Sequence, residues 1–220
     1  MVEGVLDYGP PPEHRGLGQA AMESRVLVTQ YEAWLRPALT RLVSGIRPSE
    51  EEAWLRRYVR LGETGPILDL ACGTGRYTRV LARTHGDDVV GLDLSQAMVV
   101  RASQDAPELL FVRGDAMALP FRDASLSAVN SSGSLHLFPD PVAAIAEVGR
   151  VLSKGGSFTN LSGARATSRR YRVFQPLIAR TTTMNFLSRD ALQSALDAAG
   201  MDLLDFELVG MMAFLAARKR

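Results

Sequence analysis

Short apolar runs alternate with longer stretches of helical period along most of the chain. Ile67–Leu70, Val89–Leu92, Leu109–Val112, Leu126–Asn130 and Ser157–Leu161 are each four or five residues long and dominated by aliphatic or small side chains. Runs of this length read as buried strands. Between them, Arg76–Thr84, Ser95–Ser103 and Pro141–Leu152 repeat their apolar positions at helical spacing, and Ser95 is placed to cap its helix. Strands separated by helices predict a parallel α/β sheet with helices on both faces. The end of the chain breaks this rhythm. A helix over Ser188–Ala199 is followed by Leu203–Val209 and Met211–Ala216, with Gly210 alone between them. So short a connection permits only antiparallel pairing. The predicted fold is therefore a seven-stranded, mostly parallel sheet finished by an antiparallel hairpin.

Ahead of this core, residues 1–18 carry three consecutive prolines and several glycines, which predicts a flexible lead-in. Residues 19–62 predict a helical cap. Its first part brings Val26, Tyr31, Trp34 and Leu35 onto one face, with a kink at Pro37; its second starts at Ser49 and ends near Leu61-Gly62. The core occupies 63–220. Within it, residues 163–187 are set to cover the carboxyl edge of the sheet, where open parallel sheets bind ligands.

Composition narrows the field a little. With 220 residues, 46% hydrophobic, 22% charged and a net charge of +1, the chain is ordinary for a soluble globular protein and lacks the basic balance of a nucleic-acid binder. One cysteine, Cys72, excludes an intramolecular disulfide. No apolar run reaches the roughly 20 residues of a membrane span, and the first residues hold no apolar signal core, so a cytoplasmic location is expected.

The chemistry concentrates in ILDLACGTGRYTRVLA, residues 67–82. Gly73 and Gly75 lie just before a helix, where missing side chains let backbone approach a ligand. The dinucleotide fingerprint G-x-G-x-x-G does not fit: a frame on Gly73 and Gly75 meets Thr78, and a frame on Ala71 and Gly73 meets Arg76. An NAD-dependent oxidoreductase is disfavoured accordingly. Asp93 ends the second strand about twenty residues beyond the turn, where a carboxylate can accept from ribose hydroxyls.

Asp69-x-Ala71-x-Gly73-x-Gly75, Asp93 in VVGLDLS, FVRGDAMALPF at 111–121 and the segment 127–158 together resemble the class I S-adenosylmethionine (SAM)-dependent methyltransferases. Ala71 stands where that pattern usually has glycine. The resemblance covers about residues 60–220 and implies a Rossmann-like fold, SAM as cofactor and S-adenosylhomocysteine as product. It further implies a cofactor site of Asp69, Ala71, Gly73, Gly75, Asp93, Leu94, Met98, Asp115, Ala116 and Ser131, with Tyr31 near the methionine end. Met98 would lie on the adenine and Asp115 at its amino group; core packing is the other account of Met98 and of Tyr31.

The implied acceptor is a small molecule such as a natural product, a quinone or a lipid-like compound. The base-methylating N/D-P-P-Y/F motif is absent after strand four, which reads Asn130-Ser131-Ser132-Gly133. A single cysteine excludes the arsenic-type enzymes. His136 is the candidate general base if the acceptor must lose a proton. Arg169 and Arg170, in a stretch with no Asp or Glu between Glu147 and Asp190, are candidates for an anionic acceptor group, with a solvated basic face as the other account; Trp34 is a further substrate-binding candidate, with core packing as its other account. A SAM-binding protein without methyl transfer, such as a cyclase, isomerase or noncatalytic partner, is the alternative. The motifs report binding and not chemistry.

Overall fold

Strand β2 (Ile67–Leu70) shows how the layers are built. Leu68 and Leu70 pack into one hydrophobic cluster, while Ile67 packs into another on the opposite face. Alternation of this kind, with every residue buried, is what a central parallel strand requires. The first face is covered by α4 (Pro141–Val151) and α6 (Arg189–Ala198), through Ile145, Val148, Leu192 and Leu196. The second is covered by α1 (Pro48–Val59), α2 (Arg76–His85) and α3 (Gln96–Asp105), through Leu55, Val59, Val80, Leu81 and Val99.

The computed structural model describes residues 5–9, 41, 45, 47–59, 65–86, 88–166, 169–182 and 184–220. The remaining strands are β1 (Leu6–Asp7), β3 (Val89–Asp93), β4 (Leu110–Arg113), β5 (Leu126–Ser132), β6 (Leu152–Gly163), β7 (Met201–Val209) and β8 (Met212–Lys219), with α5 (Arg169–Thr182) between β6 and α6. They form one sheet in the order β1-β4-β3-β2-β5-β6-β8-β7. Pairing is parallel from β1 to β6 and antiparallel across β6, β8 and β7. The chain runs outward from β2 through β3 to β4, then returns to the other side of β2. That reversal opens a crevice between β2 and β5 at their carboxyl ends.

Among the described residues the sheet has eight strands, where the sequence pattern predicts seven. The extra one lies in the stretch expected to be a flexible lead-in, and that expectation is corrected for residues 5–9. Val5 is buried, Leu6 and Asp7 pair with Val112 and Arg113, and the Tyr8 N–H donates to the Arg113 carbonyl at 2.8 Å. Two residues are too few to show a period, so hydrophobic patterning does not reveal them. The start of α1 also differs. Ser49 lies inside the helix, and Glu50 Oε2 accepts from the Arg47 N–H at 2.8 Å, so the acid and not the serine serves the helix terminus. Ser95 and Ser188 cap as expected, accepting from the Met98 and Ala191 N–H groups.

Candidate active site

The turn after β2 is wound through the left-handed region at alternate residues, with φ of 55° at Ala71, 55° at Gly73 and 74° at Gly75. At Gly75 the choice of residue is forced. A Cβ there would sit 2.8 Å from two ring carbons of Phe111, which also fills the space beside Gly91. Ala71 accepts the same backbone conformation with a side chain, at a cost of about 1 kcal/mol. Asp93 holds this turn. One carboxyl oxygen accepts from the Gly73 N–H and the other from the Ser95 N–H, both at 2.9 Å. The carboxyl is half-buried and thus ties the glycine turn to the start of α3.

The next residue, Leu94, is held from the other side. Its carbonyl accepts from Arg113 Nε at 3.1 Å, and Arg113 Nη1 reaches Asp7 Oδ1 at 3.0 Å. Gly9 lies so close that a Cβ would meet the guanidinium carbon at 2.7 Å. Arg113 is buried, so this pair links β1, β4 and the loop after β3 into one unit. Beyond β4, Asp115 Oδ1 accepts from the Met117 N–H at 2.9 Å, closing a turn that buries Ala116. The loop onward is fastened by Arg150, which donates to the carbonyls of Leu119 and Phe121 and to Glu147 and Asp123. The Arg150 guanidinium holds the Glu147 carboxyl below its ordinary pKa.

Asp69 lies under the turn, 2% exposed. Its two oxygens accept from Thr78 Oγ1 at 2.7 Å and Asn130 Nδ2 at 2.8 Å, and Asn130 Oδ1 accepts from Thr159 Oγ1 at 3.1 Å. Cys72 is buried beside it, and burial, aided by Asp93 and Asp69, pushes its thiol up, away from nucleophilic chemistry.

On the other side of the crevice, Ser131 Oγ pairs with Ser134 Oγ at 2.6 Å, and Asn160 Nδ2 donates to the Ser131 carbonyl at 2.9 Å. A single-turn 3-10 helix, Leu135–Leu137, then carries His136 against the end of β6. Its Nδ1 accepts from the Gly163 N–H at 3.1 Å, and its ring stacks on Phe186 at 6.1 Å. Gly163 has no room for a side chain: a Cβ would meet Phe186 at 2.8 Å and His136 at 3.0 Å. The Asn185 N–H closes the ring of contacts on the His136 carbonyl at 2.7 Å. His136, Asn160, Ser162 and Asn185, with Leu135, Leu187 and Leu215, line a small cavity with room for about one water molecule.

Residues 68–159 match the family described as "Methyltransferase domain". An uncharacterised chloroplastic methyltransferase of Arabidopsis thaliana is 30% identical over 189 residues, covering 80% of this chain and 53% of that protein. A demethylmenaquinone methyltransferase of Beutenbergia cavernae is 39% identical over 123 residues, covering 56% of this chain and 44% of that one. The solved geranyl diphosphate C-methyltransferase of Streptomyces coelicolor A3(2) superposes with a TM-score of 0.69 at 17% identity, over 96% of this chain and 88% of that structure. The chain carries a methyltransferase domain over residues 68–159, and its fold is that of the class I SAM-dependent methyltransferases. It spans about half the length or less of three of the curated relatives it matches.

SAM is the cofactor of this family, and the residues at the carboxyl edge suit it. The left-handed turn removes side chains from the backbone at 73 and 75, and the half-buried Asp93 carboxyl is already aimed by two N–H donors. Gln96, at the first position of α3, keeps a buried side-chain amide nitrogen without a hydrogen-bond partner among the described residues. A buried amide donor of that kind is worth roughly 1–3 kcal/mol to any acceptor that reaches it. Gln96, Arg113 and Arg150 are additions to the residues read from sequence.

Ala71, Gly73, Gly75, Asp93, Leu94, Asp115, Ala116 and Ser131 all follow or end parallel strands on one edge of the sheet. Met98 is buried in α3, 3% exposed. Asp69 is brought beneath the turn instead of onto its surface. Tyr31 and Trp34 lie outside the described residues, as does the side chain of Arg170, and Arg169 is exposed. His136 is brought against the end of β6, where its ring is already engaged by backbone. With Nδ1 accepting from backbone, the neutral ring carries its proton on Nε2 and offers a donor there.

Burial lowers the pKa of His136 from 6.5 to about 4. The unfolded chain therefore binds a proton between pH 6.5 and 4 that the native ring refuses, so stability is full above 6.5 and falls as pH drops. The expected loss between pH 7.5 and pH 5 is about 2 kcal/mol. Urea midpoints at the two pH values will show it as a steeper decline in the native chain than in His136→Asn. Equal declines would remove the buried neutral imidazole from the account.

Proposed function

We propose that this protein transfers the methyl group of SAM to a small, mainly apolar acceptor that supplies its own acidic nucleophile, of the hydroxylated quinone-ring type. SAM presents an electrophilic methyl on a sulfonium, and in-line transfer asks mostly for alignment and exclusion of water. The observation that carries the acceptor class is the state of His136. Its lone pair is already used by the Gly163 N–H, and the other polar groups lining the cavity, Asn160, Ser162 and Asn185, are not bases. An acceptor with an ionisable ring hydroxyl needs none. Relatives named as demethylmenaquinone methyltransferases agree with such an acceptor.

The test is turnover of a reduced naphthoquinone against the same ring with its hydroxyls blocked. Methylated product and S-adenosylhomocysteine should appear in equal amounts from the first only, with a pH profile following ionisation of the acceptor. His136→Asn should keep that profile. A profile that instead vanishes with His136 would give the base back to the protein and overturn the acceptor class.

A further inference from the structure

Helix α5 has two unlike faces. Tyr171, Gln175 and Ala179 recur every fourth residue and turn inward; Tyr171 and Ala179 are half-buried and Gln175 is buried. Gln175 fastens the helix to the extension of β6, accepting from the Ala166 N–H at 2.9 Å and donating to the Ala164 carbonyl at 2.7 Å. The Arg165 N–H reaches the Leu187 carbonyl at 2.9 Å, so both ends of the excursion are tied at its base. The opposite face consists of Arg169, Arg172, Val173, Pro176, Leu177 and Arg180, all exposed. Val173 is 67% and Leu177 63% exposed, one turn apart.

An exposed aliphatic pair costs nothing unusual alone, but its surroundings are one-sided. Arginines flank it at both ends, and no acid stands between Glu147 and Asp190 in a chain whose net charge is only +1. A solvated helix ordinarily mixes both signs of charge. A helix with aliphatic side chains between cations, and low overall hydrophobicity, suits the boundary between lipid headgroups and acyl chains.

We propose that α5 is a membrane-surface helix that docks the protein on an anionic bilayer. Val173 and Leu177 enter the headgroup boundary, and the arginines meet lipid phosphates, whose paired oxygens match guanidinium forks. Charge complementarity selects this occupant: aliphatic side chains offer nothing to the bases of a nucleic acid. Because the excursion is tied at its base, docking turns the carboxyl edge of the sheet towards the lipid. The proposal stands on α5 and does not depend on the identity of the acceptor.

Co-sedimentation of the full chain with phosphatidylcholine vesicles, with and without phosphatidylglycerol, tests it. Binding is expected to the anionic vesicles alone and to fall with salt. Arg172→Gln/Arg180→Gln should lower the partition coefficient roughly 30-fold and Val173→Ser/Leu177→Ser roughly tenfold, with SAM affinity unchanged. Absence of binding to anionic vesicles overturns the proposal, as does binding insensitive to both pairs of substitutions. A concentration-dependent dimer lost in Val173→Ser/Leu177→Ser, without vesicle binding, would assign the face to a second copy of the chain and overturn it equally.

Discussion

Asp93→Ala is expected to bind SAM roughly 100-fold more weakly than the native chain, with little change in melting temperature. The size follows from what the carboxyl does at once. In the site we propose, it faces the ligand and offers charge-assisted acceptors to ribose hydroxyls, each such bond contributing about 1.5–3 kcal/mol. Facing the protein, it aims the Gly73 and Ser95 N–H groups, so removing it frees the turn in the absence of ligand as well. Both losses fall on binding. Stability suffers less because the site is half-buried and water replaces the carboxyl on both donors. Asp93→Asn separates the two roles. Its amide keeps one acceptor but turns an NH2 towards one of the two backbone donors, so an intermediate loss of roughly tenfold is expected. Calorimetric titration of the three proteins decides. Equal affinities would show that the cofactor rests elsewhere on this edge, and the claim for Asp93 would fall.

Asp93 was legible because a strand end, a glycine turn and a spacing of twenty residues together state a geometry. The same holds for the antiparallel hairpin, where one residue between two apolar runs leaves a single topology. What escaped the sequence was held by contacts between distant segments. Arg113 matters because Asp7, 106 residues away, lies against it, and nothing local announces that pairing. Arg150 looks like an ordinary surface residue of an amphipathic helix, yet it fastens the loop that carries Asp115 and Ala116. His136 stood out in the sequence for its place after strand four. Its role was not visible, because that depends on a backbone N–H at Gly163 and on a ring at Phe186, both of which only the fold brings near. Patterns of side chains predict elements; the state of a titratable group is set by what those elements enclose.

Asp69 illustrates the same distinction and leads to the largest effect on stability. Asp69, Asn130 and Thr159 are register partners on the neighbouring strands β2, β5 and β6, and Thr78 of α2 closes the row from above. All are buried: Thr78 and Thr159 are 0%, Asn130 1% and Asp69 2% exposed. The row crosses the junction where the order of strands reverses, and so fixes β2 against β5 under the cofactor turn. Asp69→Ala strands the Thr78 hydroxyl and the Asn130 amide without an acceptor, each costing about 1–3 kcal/mol, and leaves a void besides. The expected loss in urea unfolding is about 4 kcal/mol, against about 1 kcal/mol for Asp69→Asn, whose amide can donate to the Thr78 oxygen while still accepting from Asn130. Binding supplies the second arm. The resemblance to the family implied that Asp69 belongs to the cofactor site, and from its burial we propose that it acts there as a positioning residue. Asp69→Asn, still folded, is then expected to bind SAM within about threefold of the native chain, less than half of one tenfold step in free energy. A loss near that of Asp93→Ala, in a variant whose urea midpoint has barely moved, would assign a direct electrostatic role to Asp69. A small stability loss in Asp69→Ala would instead show that the buried row is dispensable, and that packing alone sets the junction.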